Sequence, residues 1–374
     1  MQLFRFTVNE AAVTDASPDL EHIFLHSIPL LDVRAPVEVA KGSFPAATNI
    51  PLLDDQQRHD IGLRYAEQGQ DAAIALGLEM ATPTIREQRL TAWNDFIREH
   101  PDGYLFCFRG GLRSRTTQQW LQDAGVDYPL IPGGYKAMRR FLLERMYRLI
   151  AEGRIQVVSA PTGSGKTELI HAWPQSIDLE GLANHKGSAF GKAFTPQPSQ
   201  IDWEHQFTID WMHLRQATAS PVLMEDESRL IGQVFLPPEL QTLLASAPEL
   251  RLQASLDERV QRLRRDYVQP IREHYQTTDP EQCAQHFTEH VQHNIGRIRK
   301  RLGGARHAAM HDAVPDAVQA LLAHNDWAGF DSLIRQLLTD YYDPMYAYQQ
   351  SRSSRPCAAS GNHDELLHWL QHRS

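Results

Sequence analysis

Two short stretches carry residue types able to do covalent or phosphate chemistry. The first is FCFRGGLRSR, in which Cys107 closes an apolar run and Arg109, Gly110, Gly111 and Arg113 follow at once. A loop curling from a strand into a helix N-terminus turns successive N–H groups to one side and adds the helix dipole, so it stabilises an anion. A thiolate is such an anion, and beside Arg113 and Arg109 the sulfur is expected to be ionised and nucleophilic at neutral pH. The two glycines permit the backbone conformations such a nest needs. An isolated cysteine is more often an ordinary buried strand-end residue, but the flanking glycines and arginines favour the nucleophile. Cys283 and Cys357 lack such surroundings and are expected to be helix filling and a loop residue.

The second stretch, SAPTGSGKTEL, follows the apolar run IQVVS. Gly165, Lys166 and Thr167 match the end of a Walker A loop, with Ala160 where its first glycine stands. Gly163, Ser164 and Gly165 let the backbone wrap a phosphate, Lys166 reaches its oxygens, and Thr167 can ligand magnesium. PVLMEDESRLIG then resembles a Walker B strand ending in Glu225, Asp226 and Glu227, with Asp226 the magnesium-side carboxylate. The alternative is a solvated acidic turn. Backbone amides see only phosphates, so the loop does not tell ATP from another diphosphate.

A third group is basic. Arg262, Arg264, Arg265, Arg297, Arg299 and Lys300 fall on predicted helices and can position a nucleic-acid backbone, the alternative being solvated helical faces. No histidine has metal-ligand spacing, so no metal ligand beyond the magnesium candidates is assigned and no tightly bound cofactor is expected.

These loops need strands and helices to hold them. IPLLDV, ATNIPLL, GYLFCF and YPLIPGG are expected to be strands, while TPTIREQRLTAWNDFIREH and SRTTQQWLQDAG are expected to be helices. After a helix at YKAMRRFLLERMYRLIAEG, the pattern restarts with strands at IQVVSA, SIDLE, PVLMED and LRLQASL. Helices follow Asp257, one of them long and amphipathic from Pro280 to the glycines at 303 and 304, and QQSRSSRPCAASGNH is expected to be a loop. The chain thus reads as two α/β domains, 1–145 and 146–374, the second with a helical C-terminal extension.

The 374 residues are 42% hydrophobic in short runs, with none near the ~18 apolar residues of a membrane span. MQLFRFTVNE lacks the pattern of a secretory leader, and the three cysteines have no disulfide or zinc spacing, so a reducing, cytoplasmic setting is expected. The formal net charge of −9 argues against coating nucleic acid indiscriminately but allows a local basic face.

From Leu31 to Gly134 the chain resembles the rhodanese family of sulfur transferases, through LDVRAPVEVAKGSFPAATNIPLL and the Cys107 loop. That resemblance implies a cysteine carrying a transferable sulfur. Five residues separate Cys107 from Arg113 where many rhodaneses have four, which leaves a wider cradle, as in phosphatases of the same fold. Over most of its length, through FCFRGGLRSR, GGYKAMRR, PTGSGKTELI, IDLEGLANHKGSAFG and EDESRLIG, the chain resembles the tRNA 2-selenouridine synthases. The implied fold is α/β, a rhodanese-like domain followed by a P-loop domain. The implied reaction replaces sulfur by selenium at a wobble 2-thiouridine of tRNA, with selenophosphate as donor and geranyl transfer from geranyl diphosphate to the same sulfur as an intermediate step. The resemblance also implies a selenophosphate-producing enzyme as partner. A rhodanese-fold phosphatase and a nucleotide-gated tRNA-binding protein are the alternatives.

Overall fold

The computed structural model describes residues 18–188 and 190–372, so the leader-like test on MQLFRFTVNE falls outside the described residues. The chain divides into two compact units, Met1–Arg145 and Met146–Ser374. No helix among the described residues is long and apolar enough to cross a membrane.

The first unit contains α1 (Leu20–Leu25), β1 (Leu30–Asp32), α2 (Pro36–Val39), β2 (Ala47–Asn49), α3 (Asp55–Met80), α4 (Pro83–Glu99), β3 (Tyr104–Phe106) and α5 (Leu112–Asp123). It also holds the start of α6 (Gly134–Glu152). The strands form a parallel sheet in the order β2-β1-β3, with Leu31 paired to Thr48 and to Leu105. Strand β1 is wholly buried, as a parallel strand covered on both faces should be. Trp93 and Phe96 of α4 and Trp120 and Leu121 of α5 share one apolar cluster with Leu31, Val33 and Leu105. The indole of Trp93 also donates to the Ile50 carbonyl at 3.0 Å.

A buried ion pair fixes the turn after β1. Asp32 accepts from the Arg34 N–H at 2.9 Å and from its guanidinium at 2.6 to 3.0 Å, and both side chains are almost inaccessible. Arg34 also donates to the Gly42 carbonyl at 3.0 Å and lies 4.0 Å over the Tyr135 ring.

Two features depart from the sequence reading. The strand expected at YPLIPGG shrinks to a single bridge, Leu130 to Leu105, because Pro129 and Pro132 donate no N–H and the glycines at 133 and 134 turn the chain with φ of +74° and +55°. Helix α3 was not anticipated. It is capped by Asp54, broken at Gly69, and buries only Ala73, so no apolar stripe announces it.

The second unit runs β4 (Ile155–Ser159), α7 (Lys166–Ala172), β5 (Ser176–Ile177), α8 (Leu179–Leu182), α9 (Gln200–Ala217), β6 (Val222–Glu225), β7 (Leu230–Ile231), β8 (Val234–Phe235), α10 (Pro238–Ser246) and β9 (Glu249–Leu252). Helices α11 (Leu256–Leu263), α12 (Gln269–Thr278), α13 (Cys283–Arg297), α14 (Arg299–Leu302), α15 (Gly304–His324), α16 (Ala328–Leu337) and α17 (Asp343–Arg352) follow. Strand β10 (Cys357–Gly361) and α18 (His363–Gln371) close the chain. The main sheet is parallel, in the order β10-β9-β4-β6-β5, with the fully buried β4 at its centre.

The tail expected to be a loop therefore supplies an edge strand, with Gly361 paired to Leu252. CAASG has neither apolar alternation nor β-branched residues, so pairing with the open edge of β9 decides its conformation. Cys357 lies on this strand and is exposed, whereas Cys283 is buried at the start of α13. The long helix expected from Pro280 divides into α13 and α14, ended by Gly303 at φ +91°.

Asp32→Asn leaves the Arg34 guanidinium buried against a neutral amide and should destabilise the first unit by about 3–5 kcal/mol. Urea unfolding of the full chain will show this as an early transition moving to lower denaturant; a midpoint unchanged from the parent would mean that the pair contributes nothing.

Candidate functional site

Strand β3 ends at Phe106 and α5 begins at Leu112, so Cys107 to Gly111 form the connecting loop. Gly110, at φ +63°, and Gly134 make this loop possible by close approach. A Cβ on Gly134 would lie 2.2 Å from the Cys107 carbonyl oxygen, and one on Gly110 would lie 2.7 Å from the Gly133 nitrogen. The Tyr135 and Lys136 N–H groups close the junction by donating to the Cys107 and Phe108 carbonyls at 2.8 and 3.1 Å. No side chain caps α5, and the N–H groups from Phe108 to Arg113 donate to no acceptor among the described residues. An uncapped run of donors of this kind suits an anion.

The side chains are arranged less simply than the sequence suggested. Cys107 is only 3% exposed and belongs to the apolar cluster with Leu31, Leu105 and Trp120. Arg113 does not face a vacant cradle. Its Nη2 donates to Glu38 Oε1 at 3.0 Å and its Nη1 to the other carboxylate oxygen, while Glu38 also accepts from the Ala35 N–H at 3.1 Å. Burial works to raise the Glu38 carboxyl, but the hydrogen bond and charge of Arg113 outweigh it and hold it below its ordinary range. Burial opposes the Arg113 cation, yet Glu38, then Cys107 and Asp32, hold it above its ordinary range. Arg109 is exposed and makes no ion pair among the described residues, so it is the uncommitted cation of the loop. Glu38 was missed as Arg113's partner, although an acidic residue after Asp-Val-Arg was part of the rhodanese resemblance.

In the second unit, the loop 160–165 joins β4 to α7. Gly163 and Gly165 take φ of +80° and +92°, a region few other residues adopt. The N–H groups of Gly163, Gly165, Lys166 and Thr167 donate to no acceptor among the described residues. The Thr162 carbonyl is taken by Arg259 Nε at 2.8 Å. Ser164 is 2% exposed and its hydroxyl has no partner among the described residues. Donors left free in this way match a bound phosphate.

Acidic groups crowd Lys166. Burial works to lower its ammonium, but Glu227, Glu180, Asp226 and Glu225 outweigh it and hold it above the ordinary lysine range. Burial, with Glu180 and Asp226 as like charges, pushes the Glu227 carboxyl up to about 8 against the opposing pull of Lys166. Glu225 is raised well above its usual range, first by burial and then by Asp178, while one oxygen accepts from the Leu179 N–H at 2.8 Å. Glu180 accepts from the Gly187 N–H at 2.6 Å. Sequence reading grouped 225–227 but gave no signal for Glu180, which lies on α8.

Asp226, expected on the magnesium side, pairs with Arg355 at 2.7 Å. Among the described residues no three His, Cys, Asp or Glu groups are placed to hold a metal. Thr167 follows Lys166 at the start of α7, where its hydroxyl can serve a magnesium ion bound together with a phosphate.

The basic set also divides. Arg262 pairs with Glu168 at 3.0 Å, and Arg265 with Glu168 and Asp266 at 2.7 Å each. Arg264 pairs with Asp331 at 3.3 Å and lies 4.2 Å over the Trp327 ring. Arg297, Arg299 and Lys300 are exposed at the end of α13 and on α14.

A carboxyl raised in the folded state favours folding in its protonated form, so Glu227 should cost stability as pH rises from its unfolded value of 4.5 through about 8. Thermal unfolding of the parent should lose midpoint between about pH 5 and 8 and level off above, and Glu227→Gln should flatten that slope. Parallel slopes would place the titration elsewhere.

A family model described as the tRNA 2-selenouridine synthase AAA domain matches residues 153–374. A protein of Marinobacter nauticus named tRNA 2-selenouridine synthase is 45% identical over 95% of this chain and 97% of its own. Proteins of the same name from Pseudomonas syringae pv. syringae and Alcanivorax borkumensis are 42% and 43% identical over 97% and 96% of this chain, in each case 99% of theirs. A solved N-terminal domain of an ATP/GTP-binding protein from Clostridium difficile 630 is 27% identical over 31% of this chain and 90% of its own, with a TM-score of 0.29 too low to bear on the fold. With relatives this similar from end to end and the family model spanning the second unit, the chain belongs to the tRNA 2-selenouridine synthase family.

Proposed function

We propose that this chain replaces the sulfur of a wobble 2-thiouridine in tRNA by selenium from selenophosphate, by way of a sulfur first geranylated from geranyl diphosphate. Membership of the family supports the overall reaction. The observation that carries the prenyl step is an apolar cleft that touches the phosphate loop: Thr162 lines it together with Phe190, Leu263, Ile271, Val291 and Phe330. A phosphate nest and a hydrocarbon-lined cleft sharing one residue suit an amphiphile with a diphosphate head and an apolar tail.

In this reading the free N–H groups of the loop, Lys166 and Thr167 take the diphosphate, and Asp226 stays with Arg355. Thr167 is the ligand offered to a magnesium ion arriving with it. The thiocarbonyl sulfur attacks the first carbon of the prenyl group, a C–S bond forms as the C–O bond to diphosphate breaks, and the base gives up its ring N–H proton. The alkylated sulfur is then a better leaving group than a thiocarbonyl when selenium enters.

The first unit, with its cysteine at the end of a parallel strand, serves as the rhodanese-like part. The Cys107 thiolate attacks the phosphorus of selenophosphate, an S–P bond forming as the P–Se bond breaks. The selenide released adds to the geranylated base and expels geranyl thiolate. Water then frees phosphate from the sulfur, and Arg109 and the loop amides hold that phosphate. Arg113 joins them by exchanging Glu38 for the donor. Because Cys107 is almost fully covered, displacement of residues 108–111 belongs to this step. Arg297, Arg299 and Lys300 are exposed and are offered to the tRNA backbone. A cytoplasmic setting and supply by a selenophosphate-producing enzyme complete the reading.

Mass spectrometry of nucleosides from tRNA incubated with the purified chain separates the steps. Cys107→Ala should abolish 2-selenouridine and leave geranylated 2-thiouridine, whereas Lys166→Ala should lower the geranylated product by at least about tenfold. Full selenium incorporation by Cys107→Ala would remove the thiol from the reaction. Ile334→Trp, which fills the cleft, should block geranyl transfer but not binding of inorganic pyrophosphate; undiminished transfer would place the tail elsewhere.

A further inference from the structure

Helix α11 was read from sequence as part of a basic face, yet one side of it lies along the phosphate loop. Arg259 donates to the Thr162 carbonyl, Leu263 lies where a Cβ on Gly163 would come within 3.0 Å, and the Arg262 guanidinium lies where a Cβ on Gly165 would come within 3.1 Å of Nε. Arg262 is thus beside the residue that precedes Lys166. Its Nε donates to Glu168 at 3.0 Å, but its Nη1 is buried with no partner among the described residues. The Ser164 hydroxyl in the same loop is also buried and unpartnered. A buried guanidinium N–H with no acceptor is costly, and two such donors at one loop point to an anion that completes both.

We infer that Arg262 is a second cationic ligand of the phosphate loop, binding the outer oxygens of a diphosphate while Glu168 serves as its counterion when the ligand is away. This rests on the reading of residues 160–167 as a diphosphate site. Glu168 is well placed for that exchange. It is shared with Arg265, whose Nη2 donates to it at 2.7 Å, so it keeps a cation after Arg262 turns to the ligand. The geometry assigns Arg262 to diphosphate recognition and leaves Arg297, Arg299 and Lys300 as the tRNA-facing cations. Arginine suits the role because its planar fork can meet two oxygens of one phosphate group at once.

Calorimetric titration of the full chain with inorganic pyrophosphate tests this. Arg262→Gln should weaken binding by about tenfold to a hundredfold, and Arg262→Lys by less. Glu168→Gln should tighten binding severalfold, with no gain in melting temperature in the absence of ligand. That gain should vanish in the double variant Glu168→Gln/Arg262→Gln, which separates release of Arg262 from simple removal of a nearby negative charge. If Lys166→Ala loses binding while Arg262→Gln keeps the parent affinity, Arg262 only braces α11 and the inference falls. If the Glu168→Gln gain survives in the double variant, it falls as well. Should Arg262→Gln fail to fold, Glu168→Gln and Arg262→Lys decide. Parent affinity in Lys166→Ala, or no binding by the parent chain, would overturn the diphosphate site itself and this inference with it.

Discussion

One ammonium among four carboxyl groups is the constraint around which the second unit is built. Lys166 stands at the end of the phosphate loop with Glu180, Glu225, Asp226 and Glu227 acting on it, and such a cluster is tolerable only if its charges are balanced. The fold balances it in three ways. Arg355, just before the edge strand β10, neutralises Asp226. The Leu179 N–H caps one oxygen of the buried Glu225, and Glu227 is held up to about 8, where it keeps its proton at neutral pH. What remains is a loop with free backbone donors and a cation ready for an anion.

The same economy governs two charged pairs of the first unit. Asp32 and Arg34 lock the turn after β1, and Glu38 engages Arg113 across the mouth of the thiol loop. An arginine held bidentately is fixed in place, so an incoming phosphate finds it already oriented but must displace a carboxylate. The chemistry proposed here therefore depends on exchange between two anions at one guanidinium. Glu168 with Arg262 repeats this relation at the phosphate loop.

The apolar cleft ties the helical part of the chain to the chemistry. Leu263 ends α11, Ile271 lies on α12, Val291 on α13 and Phe330 on α16, so four helices contribute to one surface that includes Thr162. Helices that look in sequence like a mere extension thereby acquire a reason to pack against the loop: they bury apolar area and line one cleft together with Thr162.

Much of this was written locally. The apolar runs that become β1, β3, β4 and β6, the glycines of the two loops and the helices after them follow from near neighbours along the chain, because strand, turn and helix preferences act over a few residues. Polar α3 and the small-residue strand β10 escaped that reading, since their conformation is settled by what they lie against. The partners of the charges escaped it for the same reason. Arg113 and Glu38 are 75 residues apart, and Arg262 and Glu168 are 94 apart. Neighbours along the chain place the thiol and the glycine-rich loop; contacts across the fold cover the thiol, seat Arg113 and Arg262 on carboxylates and bring Thr162 to the wall of an apolar cleft. Ion pairing and burial depend on distances through space, which local pattern does not contain.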